Sequence, residues 1–144
     1  MERTLIQIFT KSVDAFPENP LIWEKKEGQY RPTTYRKALA PVRDLAAGLL
    51  DLGLEKGDRV TLFSEGRNEW VFSELGILFA GGVNVPVSVK LLEPSELEFR
   101  LKHSDSNSSL FPAGILKESK RSQTRLPVFK KSSLWIKLKP KKRM

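Results

Sequence analysis

Apolar residues fall at helical spacing at the start of the chain, where Leu5, Ile8, Phe9, Val13 and Phe16 recur every three or four positions. This predicts a one-faced helix from residue 4 to about 16, stopped by Pro17, which cannot continue it. The pattern then turns strand-like. Pro20–Glu24 and Gln29–Pro32 read as short strands around a turn at Lys26–Gly28. Thr33 or Thr34 can cap a second helix whose buried stripe is Leu39, Val42, Leu45, Ala46, Leu49 and Leu50. Gly53 is placed to end that helix in the left-handed region, and Pro41 falls early enough to bend it.

Beyond Gly57-Asp58, the run Arg59–Phe63 is short, β-branched and apolar, as a buried strand should be. Asn68–Ala80 follows as a largely apolar helix, Gly81-Gly82 breaks it, and Val83–Val89 is a second strand-like run. Strand, helix and strand within so few residues make a βαβ unit with parallel strands. Pro86 in the second strand marks a sheet edge, since it cannot donate to a ladder. Pro94 suits the first turn of a further helix, with Leu97 and Leu101 as its apolar edge up to His103. A next strand is due after Asp105, and no alternating or β-branched run supplies one.

Charge changes the picture at that point. Residues 106–144 hold 11 Lys or Arg against one acid, so the chain's net charge of +8 is a segment at +10 joined to a body at −2. Residues 1–105 are therefore read as the beginning of an α/β domain, and residues 106–144 as a separate, disordered basic tail. With no cysteine, disulfides, zinc-thiolate sites and thiol nucleophiles are excluded; one histidine cannot build a histidine-rich metal site. No apolar run is long enough to span a bilayer, and the acidic, interrupted N-terminus is not a signal peptide. A cytoplasmic location is expected, with contact at a membrane surface as the variant.

Several short elements in residues 4–106 occur in an order that resembles one family. They are Thr34-Tyr35 with Leu39, the run Leu45–Leu49 leading through Gly53 to Gly57-Asp58-Arg59-Val60, the triplet Asn68-Glu69-Trp70, and Leu78–Val87. Together they resemble the N-terminal part of the adenylate-forming (AMP-binding) enzymes. The triplet and the ending Leu101–Ser106 resemble the long-chain fatty acyl-CoA synthetases within them. The fold implied is the amino-terminal part of the large α/β adenylate-forming domain, incomplete here.

The resemblance implies a two-step reaction. A fatty acid carboxylate attacks the α-phosphate of ATP, releasing pyrophosphate, and the thiol of coenzyme A then displaces AMP from the acyl-adenylate. Such chemistry needs backbone N–H groups around the phosphates and Mg²⁺ on the transferring group. The family draws these from a Ser/Thr/Gly-rich loop and later segments, none of which lies in these 144 residues. The fragment is thus expected to be inactive, with no catalytic, cofactor-binding or metal-binding residue of its own. His103 ends a helix without a nucleophile or oxyanion donor beside it, and Ser64-Glu65-Gly66 lacks the glycine-flanked setting of a nucleophile elbow. Neither makes a site. Because parallel strands need cover on both faces, the strands at 60–63 and 83–89 and the helix at 70–79 are expected to keep apolar surface in water.

The tail admits two readings. Lys130-Lys131 and Lys139–Arg143 form a basic strip that could engage nucleic acid or an anionic surface in a salt-dependent way. Alternatively, back-translation from Asn107 with synonymous codons alone can give, in another frame, the strand, basic amphipathic helix and strand that the synthetases carry after His-Ser-Asp-Ser. Residues 106–144 are therefore expected to be an out-of-frame translation ending at Met144, and a separately encoded remainder of the enzyme is a conceivable partner.

Overall fold

The computed structural model describes residues 4–90, 94–106, 108–112 and 134–138, which fall into two compact units. One comprises Met1–Glu55 with Gly66–Gly81, the other Lys56–Glu65 with Gly82–Met144.

In the first unit, α1 (Leu5–Ala15) begins at Thr4 with a reciprocal cap. Gln7 N–H donates to Thr4 Oγ1 at 3.2 Å, while Thr4 N–H donates to Gln7 Oε1 at 3.1 Å. Two orphan helix-end donors are thereby satisfied. Strands β1 (Pro20–Lys26) and β2 (Gln29–Thr34) pair antiparallel through the two-residue turn Glu27-Gly28, both with positive φ. That is the backbone twist tight hairpins favour, and it lets β1 run on to Lys26, while β2 runs two residues past Pro32 because Thr33 and Thr34 pair with Ile22 and Pro20.

Helix α2 (Tyr35–Asp51) starts on Thr34, whose Oγ1 accepts from Lys37 N–H. It ends at Gly53, φ 85°, with Leu54 N–H donating to Leu49 O at 3.0 Å. Pro41 lies inside the helix. Val42, Ala46 and Leu49 are buried with Ala38 and Gly48, and Leu39 and Leu45 are half-buried. Leu50, expected in the stripe, is 52% exposed, because its angular position puts it at the rim of the face centred on Val42 and Leu49. Helix α3 (Asn68–Phe79) packs on α2, and the core of this unit gathers Phe9, Val13, Ala38 and Val42 against Leu21, Tyr35, Leu39, Phe72, Leu75 and Phe79. The rings of Phe9 and Tyr35 meet at 6.3 Å.

The second unit is built on a four-stranded sheet. Strand β3 (Arg59–Phe63) pairs in parallel with β4 (Val83–Val87) on one side and with β5 (Ser108–Pro112) on the other. β6 (Leu134–Leu138) adds antiparallel to β5, giving the order β4-β3-β5-β6. Helix α4 (Pro94–His103) precedes β5.

Two expectations are corrected here. A strand does follow Asp105: Ser-Ser-Leu-Phe-Pro is extended because β3 has a second edge to satisfy, not because of its own pattern. Val60 and Leu62 have no exposed surface and Phe63 is 6% exposed, so β3 is buried as a central strand and not left in water. The same expectation holds for α3 and β4: Ile77 is fully buried, but Trp70, Val71, Phe72, Leu75, Leu78 and Phe79 are only half-buried and Val83 at the head of β4 is 47% exposed. Within the tail, the disorder expected for residues 106–144 falls largely outside the described residues, two stretches of which are strands.

The expected edge role of Pro86 holds. Val83 N–H donates to Asp58 O at 2.8 Å, so residues 83, 85 and 87 turn their backbone polar groups towards β3. Residues 84 and 86 turn theirs outward, and at 86 there is no N–H to offer.

Candidate functional site

Chemistry-bearing side chains in the second unit collect where α4 runs into β5. Thr61, the one polar residue among the buried positions of β3, is fully buried and donates to Ser106 Oγ at 2.8 Å. Ser106, 4% exposed, lies 2.7 Å from Ser104 Oγ, which donates to Leu101 O at 3.2 Å. Each hydroxyl carries one proton, so the bonds run in one direction, from Thr61 through Ser106 and Ser104 to a backbone carbonyl. Asp105, between the two serines, sits at φ 49° with its N–H donating to Lys102 O at 3.1 Å. Among the described residues, no base or cation joins the chain of hydroxyls. Its effect is to hold the end of α4 against the central strand.

His103 does not join this cluster. Its exposed ring stacks on Phe99 at 5.6 Å and 13°, one turn back on α4. Ser64 is buried, and its Oγ donates to the next residue's carbonyl, Glu65 O, at 3.3 Å, which is no activation of a nucleophile. Asn84 of β4 is unusual in this unit: among the described residues, neither atom of its buried amide has a hydrogen-bond partner.

In the first unit the Asn68-Glu69-Trp70 triplet opens α3. Asn68 Nδ2 donates to Thr33 Oγ1 at 3.2 Å, tying the helix start to β2. Glu69, in the first turn, complements the helix dipole. On β1, the hydrogen bond and charge of Glu24, 2.7 Å away, raise the Lys26 pKa, and Glu69 adds to the effect. The ammonium is solvated, so this is a surface pair.

Among the described residues, ATP and Mg²⁺, which the resemblance implies, find no fitting donor set. Among the described residues no three His, Asp or Glu side chains gather that could hold a metal ion, and Gly57 and Gly66 are isolated turn residues, not a phosphate-cradling loop. No helix among these residues is long and apolar enough to cross a membrane. One signal of the hydroxyl chain is visible in the sequence, a threonine inside the apolar run Arg59–Phe63.

The profile of the AMP-binding enzyme family matches residues 9–139. The chain belongs to this family. The match runs beyond Ser106, where the motif resemblance stops, and takes in β5 and β6. A long-chain-fatty-acid–CoA ligase of Bacillus subtilis is 34% identical over 120 residues, covering 78% of this chain and 20% of the ligase. Among solved structures, the fatty acid AMP ligase from Legionella pneumophila is similar in fold, with a TM-score of 0.67 at 21% identity over 72% of this chain and 18% of that one. The N-terminal subdomain of Klebsiella oxytoca NpsA gives 0.65 at 25% identity, covering 74% of this chain and 26% of that one. The chain spans 10% to 21% of the length of these curated relatives.

Proposed function

We propose that this chain is an amino-terminal portion of an ATP-dependent long-chain fatty acid–CoA ligase, supplying scaffold and not catalysis. A full-length ligase of this kind would use a fatty acid, ATP with Mg²⁺ and coenzyme A. The observation that carries the reading is the family match over residues 9–139, supported by the kinship with the B. subtilis long-chain ligase. The role of these residues is to form and hold the parallel strands β4-β3-β5, with the Thr61–Ser106–Ser104 bonds fixing how α4 feeds the sheet.

ATP–pyrophosphate exchange with a long-chain fatty acid tests it. The chain alone should give background exchange, and exchange well above background from the purified chain would overturn the scaffold reading.

The step in charge at Ser106 favours a second reading, a change of reading frame there, against which stands the family match that runs on to residue 139. The nucleotide sequence is the test: an alternative frame should continue the family pattern past the codon of Met144. A salt-dependent mobility shift with DNA would instead favour a binding role for the basic strip.

A further inference from the structure

The β1–β2 hairpin of the first unit is a sheet of two strands, so among the described residues each strand keeps one edge that no neighbour pairs. Its two-residue turn makes Lys26 and Gln29 a hydrogen-bonded pair, and antiparallel pairs alternate from there. Glu24 and Arg31 therefore bond each other, while Trp23 and Lys25 of β1, and Tyr30 and Pro32 of β2, turn their backbone groups outward. Pro32 has no N–H, so the outer edge of β2 is short of a donor, whereas that of β1 is complete at both outward positions. The same four residues share one face of the hairpin, where Trp23 is 56% and Tyr30 68% exposed and Lys25 stands opposite Tyr30. The other face carries α3, whose Asn68 bonds Thr33, and the ion pair of Glu24 with Lys26 at 2.7 Å.

We propose that the outer edge of β1 is the docking surface for a second copy of this chain, joined antiparallel about a two-fold axis at Glu24 into a four-stranded sheet. The outward groups select the register. With Trp23 opposite Lys25 of the other copy, and Lys25 opposite its Trp23, both outward positions become hydrogen-bonded pairs. Pairing 23 with 23 runs into the irregularity between Pro20 and Ile22, and pairing 25 with 25 sets the lysines against each other and brings Trp23 onto the turn residue Glu27. In the selected register each Lys25 lies between Tyr30 of its own copy and Trp23 of the other, so its ammonium meets two exposed rings. Glu24 faces its own image, but each Glu24 holds Lys26 in cis and lies diagonal to the Lys26 of the other copy. Because the β2 edge lacks a donor at Pro32, the assembly closes at two chains. The inference does not rest on the ligase reading, because exchange activity plays no part in its test.

Sedimentation velocity on the full chain is the first test. Monomer should give way to dimer as concentration rises, with a dissociation constant on the order of 100 μM for so small an interface. A chain still monomeric at ~1 mM, or one that grows past two copies, would overturn the proposal. Lys25→Pro removes an outward N–H and no ladder bond, and Trp23→Ala removes one of the rings. Both should keep the melting temperature of the parent chain and weaken association about tenfold or more. The absence of native cysteine allows a direct check of register. Glu24→Cys sets the thiols of the two copies opposite each other within disulfide reach, so it should oxidise to a covalent dimer about tenfold faster than Glu27→Cys at the exposed turn. Adding Lys25→Pro should erase that difference. Equal rates for the two cysteine variants, or a dimer indifferent to both Lys25→Pro and Trp23→Ala, would place self-association on another surface and refute the site.

Discussion

Gly76 of α3 lies so close to Leu45 of α2 that a Cβ built on it would stand 2.9 Å from Leu45 Cδ2 and 3.1 Å from Leu45 Cβ. The two helices approach as they do because one partner has no side chain. Gly76→Ala should therefore destabilise the first unit by about 1–3 kcal/mol through overpacking, despite a helix-propensity gain of about 1 kcal/mol. In a Leu45→Ala background the same change should be neutral or stabilising. Urea denaturation of the four proteins measures the coupling.

The hydroxyl chain makes an asymmetric prediction. Ser106→Ala leaves the fully buried Thr61 hydroxyl without its acceptor and should cost about 1–3 kcal/mol. Thr61→Val removes the donor instead, and Ser106 keeps its contact with Ser104. Thr61→Val should be the milder change, and the double variant should lose less than the sum, as thermal melts would reveal.

At Asn84 the expected sign is reversed. Its buried amide atoms have no partner, so an apolar residue of similar size removes a desolvation penalty. Asn84→Leu should stabilise the chain by about 1 kcal/mol; a drop in melting temperature would show that the amide is satisfied in solution.

Glu98 and Lys102 give a pH signature without a stability claim. The hydrogen bond from Lys102, 2.6 Å away, and then its charge hold Glu98 below the ordinary carboxylate range. A depressed folded value means the interaction is complete above the unfolded pKa and is lost as pH falls through the folded one. Carboxyl NMR titration should find Glu98 low in the native chain and moved up to the ordinary range in Lys102→Met.

Much of this fold is legible in the sequence where local chemistry decides it. Glu27-Gly28 announces its hairpin, Thr34 and Gly53 bracket α2, and Pro86 declares an edge. What stays hidden depends on neighbours distant in sequence. Ser108–Pro112 has no strand pattern of its own and is extended because β3 needs a partner. Leu50 looks like core until its place at the rim of the helix face is known. Thr61, Ser104 and Ser106 are ordinary residues whose bonds join positions up to 45 apart, a distance no motif spans. The hydroxyl chain is the least legible part because its bonds join residues that no local pattern links.

Pro86 also bears on what happens when the chain meets copies of itself. A fibre needs two receptive edges on every molecule, one to take a strand and one to pass the pairing on. With the β4 edge short of a donor, the sheet of the second unit has no such edge to pass a pairing on. Association through it should stop short of fibres, and replacing Pro86 with valine is the change that would let it run on into filaments.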